Sequence, residues 1–296
     1  MPLKRVTFSG RLYRPEDDED SSLRSSLVRG LFFMGLDIAI GLGAAIAFFF
    51  TFSGYVIRPV EHGFYCNDAG ISNPLKPNTI STIHLLVMTL AVPFFLIALM
   101  EALLFREVQA KNRIGKFCVS VTTRYLEFVI AYTVMTFLLE TMKCGFGRLR
   151  PHFLDVCQPD WTRVNCSADP TAFIEEAFCT GPARRVRTAR TSFPSGHTTA
   201  AVFATLFLYY YTSGVVKAFP TNLSLKRARS FILGFFVVWS IVCAVTRVTD
   251  FWHHPTDVLG GAVLGLVGAY IPFARVSVEK VVMDRMVVIK QEKYVQ

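Results

Sequence analysis

Charged residues are scarce in this chain. Asp, Glu, Lys and Arg make up 18% of the 296 residues, whereas 52% are hydrophobic. The hydrophobic residues form long blocks and not short alternations, so a water-soluble globular fold is not expected. A helix needs about 20 residues to cross a hydrocarbon core of roughly 30 Å. Six blocks of suitable length and low charge predict an all-α integral membrane protein with six transmembrane helices, at 31–52, 84–104, 119–142, 198–216, 231–248 and 256–274.

Three other features are missing from the sequence. The first thirty residues contain no short apolar stretch followed by a small-residue cleavage site, so no cleaved signal peptide is expected. The cysteine spacings match no zinc signature, and no histidine stands near them in a ligand pattern, so no metal site is predicted. No internal repeat supports the inverted-repeat architecture of transporters.

The basic residues predict the orientation of the helices. The segments before residue 30 and after 274, with loops 106–116 and 217–229, hold 19 of the 31 Lys and Arg residues. Basic loops stay in the cytoplasm, which places both termini there. The predicted organisation is a cytoplasmic tail at 1–30, a six-helix domain at 31–274 and a cytoplasmic tail at 275–296.

The topology also places a long exoplasmic loop between the third and fourth helices. Eight Lys and Arg residues lie between 143 and 197, in or beside this loop. Such an excess is unusual on the exoplasmic side, and it indicates a local phosphate site.

Most of the seven cysteines fall on the exoplasmic side or at its border, where thiols can oxidise. We expect one disulfide among Cys157, Cys166 and Cys179, with the pairing left open. Asn165, followed by Cys166 and Ser167, is a glycosylation acceptor on the correct side of the membrane.

Polar residues gather at the exoplasmic ends of three predicted helices. Motif 1, at the end of the third, contains Lys143 and Arg150. Motif 2 is the sequence PSGH at 194–197, where the fourth begins. Motif 3 begins at the end of the fifth and contains Arg247, His253 and Asp257. The topology thus brings segments up to about a hundred residues apart to one membrane surface.

These residue types suit the binding and transfer of phosphate. Lys143, Arg150 and Arg247 carry positive charge, and the planar fork of arginine binds two phosphate oxygens. Ser195 and Gly196 precede a helix, where backbone N–H groups and the Ser195 hydroxyl can donate to an anion.

The histidine and aspartate residues add nucleophilic and acid–base chemistry. The carboxylate of Asp257 can accept a proton from one ring nitrogen of His253 and leave the other nitrogen free as a nucleophile. Taken alone, each cation is more often an interface anchor, and PSGH is more often a turn. The combination on one surface favours a catalytic site.

A channel or transporter is the alternative suggested by four acidic residues in or near the spans. These are Asp37, Glu101, Glu127 and Glu140, and such acids often line pathways. Their positions towards helix ends favour interfacial roles for Asp37, Glu101 and Glu140 instead.

The three motifs resemble the signature motifs of the type 2 phosphatidic acid phosphatase superfamily. Wider matches resemble its animal lipid phosphate phosphatase branch, the wunen-like phospholipid phosphatases. They are GFYCND at 63–68, GRLRPHFLDVC at 147–157, PDW at 159–161 and NCS at 165–167. The similarity extends from about residue 31 to residue 274.

The resemblance implies metal-independent hydrolysis of lipid phosphates such as phosphatidic acid, lysophosphatidic acid, sphingosine 1-phosphate and ceramide 1-phosphate, with no cofactor. It makes His253 the nucleophile, which forms a phosphohistidine, and His197 the general acid and base. The motif spacing selects His253 over His254, and Asp257 orients His253. Lys143, Arg150, Ser195, Gly196 and Arg247 bind the phosphate.

The resemblance also suggests the plasma membrane, an extracellular or luminal site and a homo-oligomer. No nucleic-acid partner is predicted. A catalytically inactive relative that binds lipid is the remaining alternative, although inactive members lose catalytic residues that are present here.

Overall fold

The computed structural model describes residues 5–6, 12–13, 35, 38–51, 57–106, 113–164 and 166–270, and these are mostly helical. The helices are α1 (Ile38–Thr51), α2 (Thr82–Leu86), α3 (Val92–Arg106), α4 (Arg113–Phe146), α5 (Phe153–Cys157), α6 (Ala183–Ala189), α7 (Gly196–Ala218), α8 (Leu223–Thr249) and α9 (Pro255–Tyr270). The π-helical segment Val87–Ala91 joins α2 directly to α3.

Short strands and one 3₁₀ turn complete the described structure, which is therefore not purely helical. Strand β1 (Arg5–Val6) pairs with β2 (Leu12–Tyr13), and β3 (Phe64–Tyr65) pairs with β4 (Phe173–Ile174); both pairs are antiparallel. The 3₁₀ turn is Ala69–Ile71.

Four of the described helices are long and apolar enough to cross a membrane. They cover Thr82–Leu103, Phe117–Phe146, Gly196–Lys217 and Leu223–Thr249, which correspond to the second to fifth predicted spans. Helices α1 and α9 fall on the first and sixth predicted spans but are shorter. Asp37, other parts of those two spans and most of both predicted tails lie outside the described residues. Six spans therefore stay a prediction.

Helix α7 lies at the centre of the helical assembly. In its apolar stretch 67% of the residues are buried inside the protein, against 22–28% in the other three candidate spans. Phe203, Phe207 and Tyr211 of α7 pack with Ile97 of α3 and Phe128 of α4 in the main hydrophobic core. Helix α7, whose N-terminus carries motif 2, is thus held by several helices at once.

Helix α9 packs closely against α7 because glycines face it. A Cβ atom on Gly261 would lie 2.5 Å from the carbonyl oxygen of Ser195, and one on Gly265 would lie 2.7 Å from that of Thr199. Small residues allow such backbone approach between helices. The Thr199 hydroxyl donates to the Gly261 carbonyl at 3.0 Å, so the start of α9 lies beside the start of α7.

Residues 147–195 form the α4–α7 connection, which carries α5, β4 and α6. A second hydrophobic core includes Phe64 from the segment before α2 and Phe153, Val156 and Ala189 from the connection. Packing between these two segments gives the connection a defined structure despite its length.

Two disulfides lie in the α4–α7 connection and the segment before α2. Cys157 pairs with Cys179, which agrees with the expected bridge among three cysteines. Cys166 pairs with Cys66, 100 residues away in the segment before α2, and this second bridge was not predicted. Asn165, the predicted glycosylation site, lies outside the described residues.

The predicted interfacial roles of Glu101 and Glu140 are wrong, because both side chains are buried. Glu101 accepts hydrogen bonds from Ser120 of α4 and from Tyr211 of α7. Glu140 pairs with Lys143 one turn further along α4, with 2.6 Å between Oε1 and Nζ. Each carboxylate is compensated inside the protein and needs no contact with the membrane surface.

Candidate active site

Motif 1 begins at the end of α4, where Lys143 lies beside Glu140. The chain then turns at Gly147, whose φ of 56° is in the left-handed region. A Cβ atom there would lie 2.1 Å from the carbonyl oxygen of Val60, so both the conformation and the space require glycine. This turn directs the chain from the helix towards Arg148 and Arg150.

Arg150 is buried and lacks a carboxylate partner among the described residues. Its Nη2 donates to the Thr191 carbonyl at 3.2 Å, and its guanidinium lies 5.2 Å from the ring of Trp252. Burial lowers the pKa of Arg150 to about 10, although the charges of Glu140 and Asp257 act to raise it. Arg150 therefore stays protonated at neutral pH and supplies positive charge that no direct ion pair neutralises in the described part of the chain.

Motif 2 places small residues at the N-terminus of α7. The Ser195 hydroxyl accepts a hydrogen bond from Thr198 at 3.1 Å, which leaves its own proton available to an anion. A Cβ atom on Gly196 would lie 3.2 Å from Nζ of Lys143. The Lys143 ammonium thus lies directly against this helix N-terminus, where backbone N–H groups and the helix dipole also attract anions.

Motif 3 begins with Arg247, which is almost completely buried in the last turn of α8. Its Nη1 donates to Oδ1 of Asn78 at 2.6 Å, and its Nη2 lies 3.4 Å from Oδ2 of Asp250. The Arg247 carbonyl accepts hydrogen bonds from the backbone N–H groups of Trp252 and His253, both at 3.0 Å. The turn after α8 thus folds back and fixes the backbone of His253 beside Arg247.

His253 and Asp257 face each other in the interior. His253 Nδ1 lies 3.7 Å from Oδ2 of Asp257, which is within ion-pair distance but beyond hydrogen-bonding distance. Catalytic hydrogen bonds are often long in the absence of substrate. Burial lowers the pKa of His253 well below its ordinary value, and the charges of Arg150 and Lys143 add to this effect. The imidazole is therefore neutral at pH 7, as a nucleophile must be.

The ring of His254 makes a hydrogen bond that the ring of His253 lacks. Its Nε2 lies 3.1 Å from the carbonyl oxygen of Leu149. Because a carbonyl only accepts, Nε2 of His254 is the donor and carries the proton. This geometry disfavours the Nε2 of His254 as a nucleophile.

The predicted residues converge on one region. The Lys143 ammonium lies against Gly196, and the backbone N–H of Ser195 donates to the Asp257 carbonyl at 2.9 Å. Some buried side-chain nitrogens in the described part of the chain have no hydrogen-bond partner. Four of them belong to predicted site residues: Nε of Arg150, Nε of Arg247, Nε2 of His197 and Nδ1 of His253.

Unpartnered buried polar atoms are uncommon in folded proteins, and a cluster of them indicates a binding or catalytic site. Within the described ranges, no group of three or more His, Cys, Asp and Glu side chains has the arrangement of a metal site.

Comparison with known proteins identifies the family of this chain. Residues 124–279, which hold all three motifs, match the PAP2 superfamily. The chain belongs to the PAP2 superfamily. Phospholipid phosphatase 1 from Rattus norvegicus is 30% identical over 241 residues, or 80% of this chain and 82% of the relative. Phospholipid phosphatase 2 from Homo sapiens is 31% identical over 251 residues, or 83% of each chain.

These relatives confirm the predicted phospholipid phosphatase branch of the PAP2 superfamily, and with it an enzyme of the phosphatase type. No solved structure shows a significant similarity to the chain.

In this PAP2 member, two contacts to Asp257 were not found from the sequence. Arg148 Nη1 donates to Oδ1 at 2.7 Å, and the Ser192 hydroxyl donates to Oδ2 at 2.6 Å. Glu140 and Asn78, the partners of Lys143 and Arg247, were also not predicted as site residues. Arg148 stands within the matching stretch at 147–157, but its sequence position does not reveal its partner.

Replacing Ser192 with alanine is expected to lower kcat about tenfold with little effect on KM. The hydroxyl is fully buried, and a hydrogen bond to a charged group contributes about 1.5–3 kcal/mol. Its loss frees Asp257 to move relative to His253 without touching the phosphate ligands. The measurement is steady-state kinetics with a lipid phosphate in mixed micelles.

Ser240→Ala is the matched control, because Ser240 is a buried serine that bonds to Thr205 in the helical core, 2.9 Å away. It is expected to lower the unfolding temperature but not kcat. Equal kcat losses in both variants would show that Ser192 acts through stability alone.

Proposed function

We propose that the chain hydrolyses lipid phosphate monoesters through a phosphohistidine formed on His253. The observation that carries this proposal is the cluster of four unpartnered nitrogens, which belong to two cations and two histidines around one site. Such a set suits an anionic substrate whose oxygens accept from the cations while the histidines exchange protons and a phosphoryl group. The relatives named phospholipid phosphatase support the substrate class.

The phosphate oxygens bind to the cations and to the start of α7. Arg150 has no carboxylate partner among the described residues and serves as the main anchor. Lys143 and Arg247 add charge that Glu140 and Asp250 partly compensate. The Ser195 hydroxyl and the Gly196 backbone N–H donate to the remaining oxygens.

The first step transfers the phosphoryl group to the enzyme. Because Nδ1 of His253 faces Asp257, Nε2 is the attacking atom, and its lone pair forms the N–P bond as the bond between phosphorus and the lipid oxygen breaks. His197, which is protonated while the bound phosphate dianion offsets the charges of the neighbouring cations, gives its proton to the departing oxygen, and the lipid alcohol leaves. Asp257 stabilises the positive charge that develops on His253.

The second step returns the enzyme to its starting state. The now neutral His197 accepts a proton from water, and the water oxygen attacks phosphorus. The N–P bond breaks, its electron pair returns to Nε2 of His253, and inorganic phosphate is released. The general acid of the first step is thus the general base of the second.

The decisive test is phosphate release by the purified full chain in mixed micelles. Phosphatidic acid, lysophosphatidic acid, sphingosine 1-phosphate and ceramide 1-phosphate serve as substrates, and glycerol 3-phosphate is the control without tails. We expect release from the lipids, little from the control, and no effect of EDTA. Absence of release from every lipid would favour the inactive lipid-binding alternative, and loss of activity in EDTA alone would contradict the metal-free reaction.

For the membrane arrangement, we propose six spans with both termini in the cytoplasm and the site on the exoplasmic face, at the plasma membrane, in a homo-oligomer. The charge bias of the loops and the two disulfides in the segments that carry the site support the orientation. The plasma membrane and the homo-oligomer are proposed from the resemblance to the phospholipid phosphatases. Asn165 should then carry a glycan in animal cells. Wild type should lose apparent mass on glycosidase treatment and Asn165→Gln should not, whereas an unglycosylated wild type would contradict this orientation.

A further inference from the structure

A cavity of about 540 Å³ lies between the segment before α2 and the α4–α7 connection. Its polar lining includes Lys76, Asn78, His152, Arg184, Arg185 and Trp252, and no acidic residue lines it. None of the residues assigned to catalysis or phosphate binding lines this cavity, so the cavity is distinct from the catalytic site.

The cavity is positively charged on two sides. Arg184 and Arg185 lie in the first turn of α6 with exposed side chains. In the described part of the chain, no carboxylate lies within ion-pair distance of either guanidinium. Lys76 lies on the segment before α2, where its Nζ donates to the Thr249 carbonyl at 3.3 Å and sits 4.1 Å from the ring of Phe251. These contacts orient Lys76 and leave its charge uncompensated.

A neutral histidine adds a hydrogen-bond acceptor to the lining. His152 Nδ1 lies 2.8 Å from the Phe251 carbonyl, and because a carbonyl only accepts, Nδ1 carries the proton. Burial lowers the pKa of His152 to about 4, which keeps its Nε2 unprotonated. Monohydrogen phosphate has one O–H group that can donate to such an atom, whereas a phosphate monoester dianion has none.

Two side chains connect the cavity to the catalytic residues. Asn78 accepts from Nη1 of Arg247 at 2.6 Å, and the ring of Trp252 lies 5.2 Å from the Arg150 guanidinium. Trp252 is itself fixed, since its Nε1 donates to the Lys76 carbonyl at 3.0 Å. An anion in the cavity is thus one layer of side chains away from Arg150 and Arg247.

We propose that this cavity is a second anion site, which takes a phosphate dianion beside the catalytic residues. The inference rests on the proposed function for the source of the anion, namely the inorganic phosphate released from His253. Lys76, Arg184 and Arg185 bind the oxygens, and Asn78 and Trp252 form the wall between the two sites. Inorganic phosphate in solution then binds to the chain at two places.

The test is calorimetric titration of the purified full chain with inorganic phosphate. Wild type should bind two phosphates per chain. The double variant Arg184→Gln/Arg185→Gln should lose one site or bind it at least about tenfold more weakly, since hydrogen bonds from charged donors are strong. Arg163→Gln is the matched control, because Arg163 is an exposed arginine of the same connection outside the cavity. Unchanged binding by the double variant would overturn the proposal.

Two further titrations distinguish the two binding sites from each other, and inorganic phosphate from a lipid headgroup as the bound anion. Arg150→Ala should lose the catalytic site and keep the cavity site, and retention of both sites would count against the proposed function but not against the cavity. In His253→Asn, which cannot turn over substrate, a lipid phosphate in micelles should displace one bound phosphate. Displacement of both bound phosphates would show that the cavity site also takes the lipid headgroup.

Discussion

Replacing His253 with asparagine is expected to abolish turnover and phosphoenzyme formation together. Loss of the nucleophile in a covalent mechanism typically costs roughly a million-fold in rate. His253 is buried and neutral, and it faces Asp257 through Nδ1, so no neighbouring group takes over its role. The measurement is phosphate release, together with acid-labile labelling of the chain after rapid mixing with ³²P-labelled phosphatidic acid.

The matched control is His254→Asn, which changes the adjacent histidine in the same way. His254 donates to the Leu149 carbonyl through Nε2 and to Asp257 through its backbone N–H, which asparagine retains. This variant is expected to be less stable but still labelled. If the label is lost in His254→Asn and kept in His253→Asn, the assignment of the nucleophile is reversed.

The burial of His253 also affects how phosphoenzyme formation depends on pH. The reactive form of His253 is neutral, and its pKa lies below the ordinary value because of burial. His253 is therefore expected to stay unprotonated at a pH at which an ordinary histidine is already charged. Phosphoenzyme formation by the wild type between pH 7 and pH 5 should not follow the titration curve of an ordinary histidine.

The convergence of the three motifs could be predicted because polar residues are costly inside a membrane and concentrate at helix ends. Given six spans, the ends that carry Lys143, Gly196 and His253 fall on one side. The structure brings the Lys143 ammonium against Gly196 and the backbone of Ser195 against that of Asp257. The predicted topology, the residue chemistry and the resemblance of the three motifs together named these residues as candidates.

The partners of Asp257 could not be predicted in the same way. Arg148 and Ser192 lie 109 and 65 residues from Asp257. Eight basic residues lie between 143 and 197, and the one that reaches Asp257 depends on the turn at Gly147. That turn is set by the close approach of Val60, which no local pattern reveals.

The disulfide between Cys66 and Cys166 was not predicted for a similar reason. Cys66 and Cys166 meet in the segments joined by the β3–β4 pair, in which Tyr65 is opposite Phe173. A pairing of two-residue strands a hundred residues apart leaves too weak a pattern to be recognised in a mostly apolar sequence.

Asp257→Asn is expected to lower kcat on the order of ten thousand-fold, the second largest effect. An amide in place of the carboxylate orienting a catalytic histidine favours the wrong tautomer and removes the charge that stabilises the imidazolium. The labelling rate should fall in parallel with kcat. Asp160→Asn is the control, because Asp160 is a carboxylate of the α4–α7 connection that bonds locally to Thr162, and it should retain full activity.

Asp257→Asn should also destabilise the protein, for a reason specific to its contacts. Both carboxylate oxygens accept from donors: Oδ1 from Arg148, and Oδ2 from Ser192 and from the backbone N–H of His254. An asparagine NH₂ group on either side faces a donor, so at least one contact is lost whichever way the amide turns. Combining Asp257→Asn with Ser192→Ala removes one of the opposed donors. The double variant should regain part of the lost unfolding temperature and none of the lost kcat, whereas recovery of both would show that Asp257 acts through stability and not through His253.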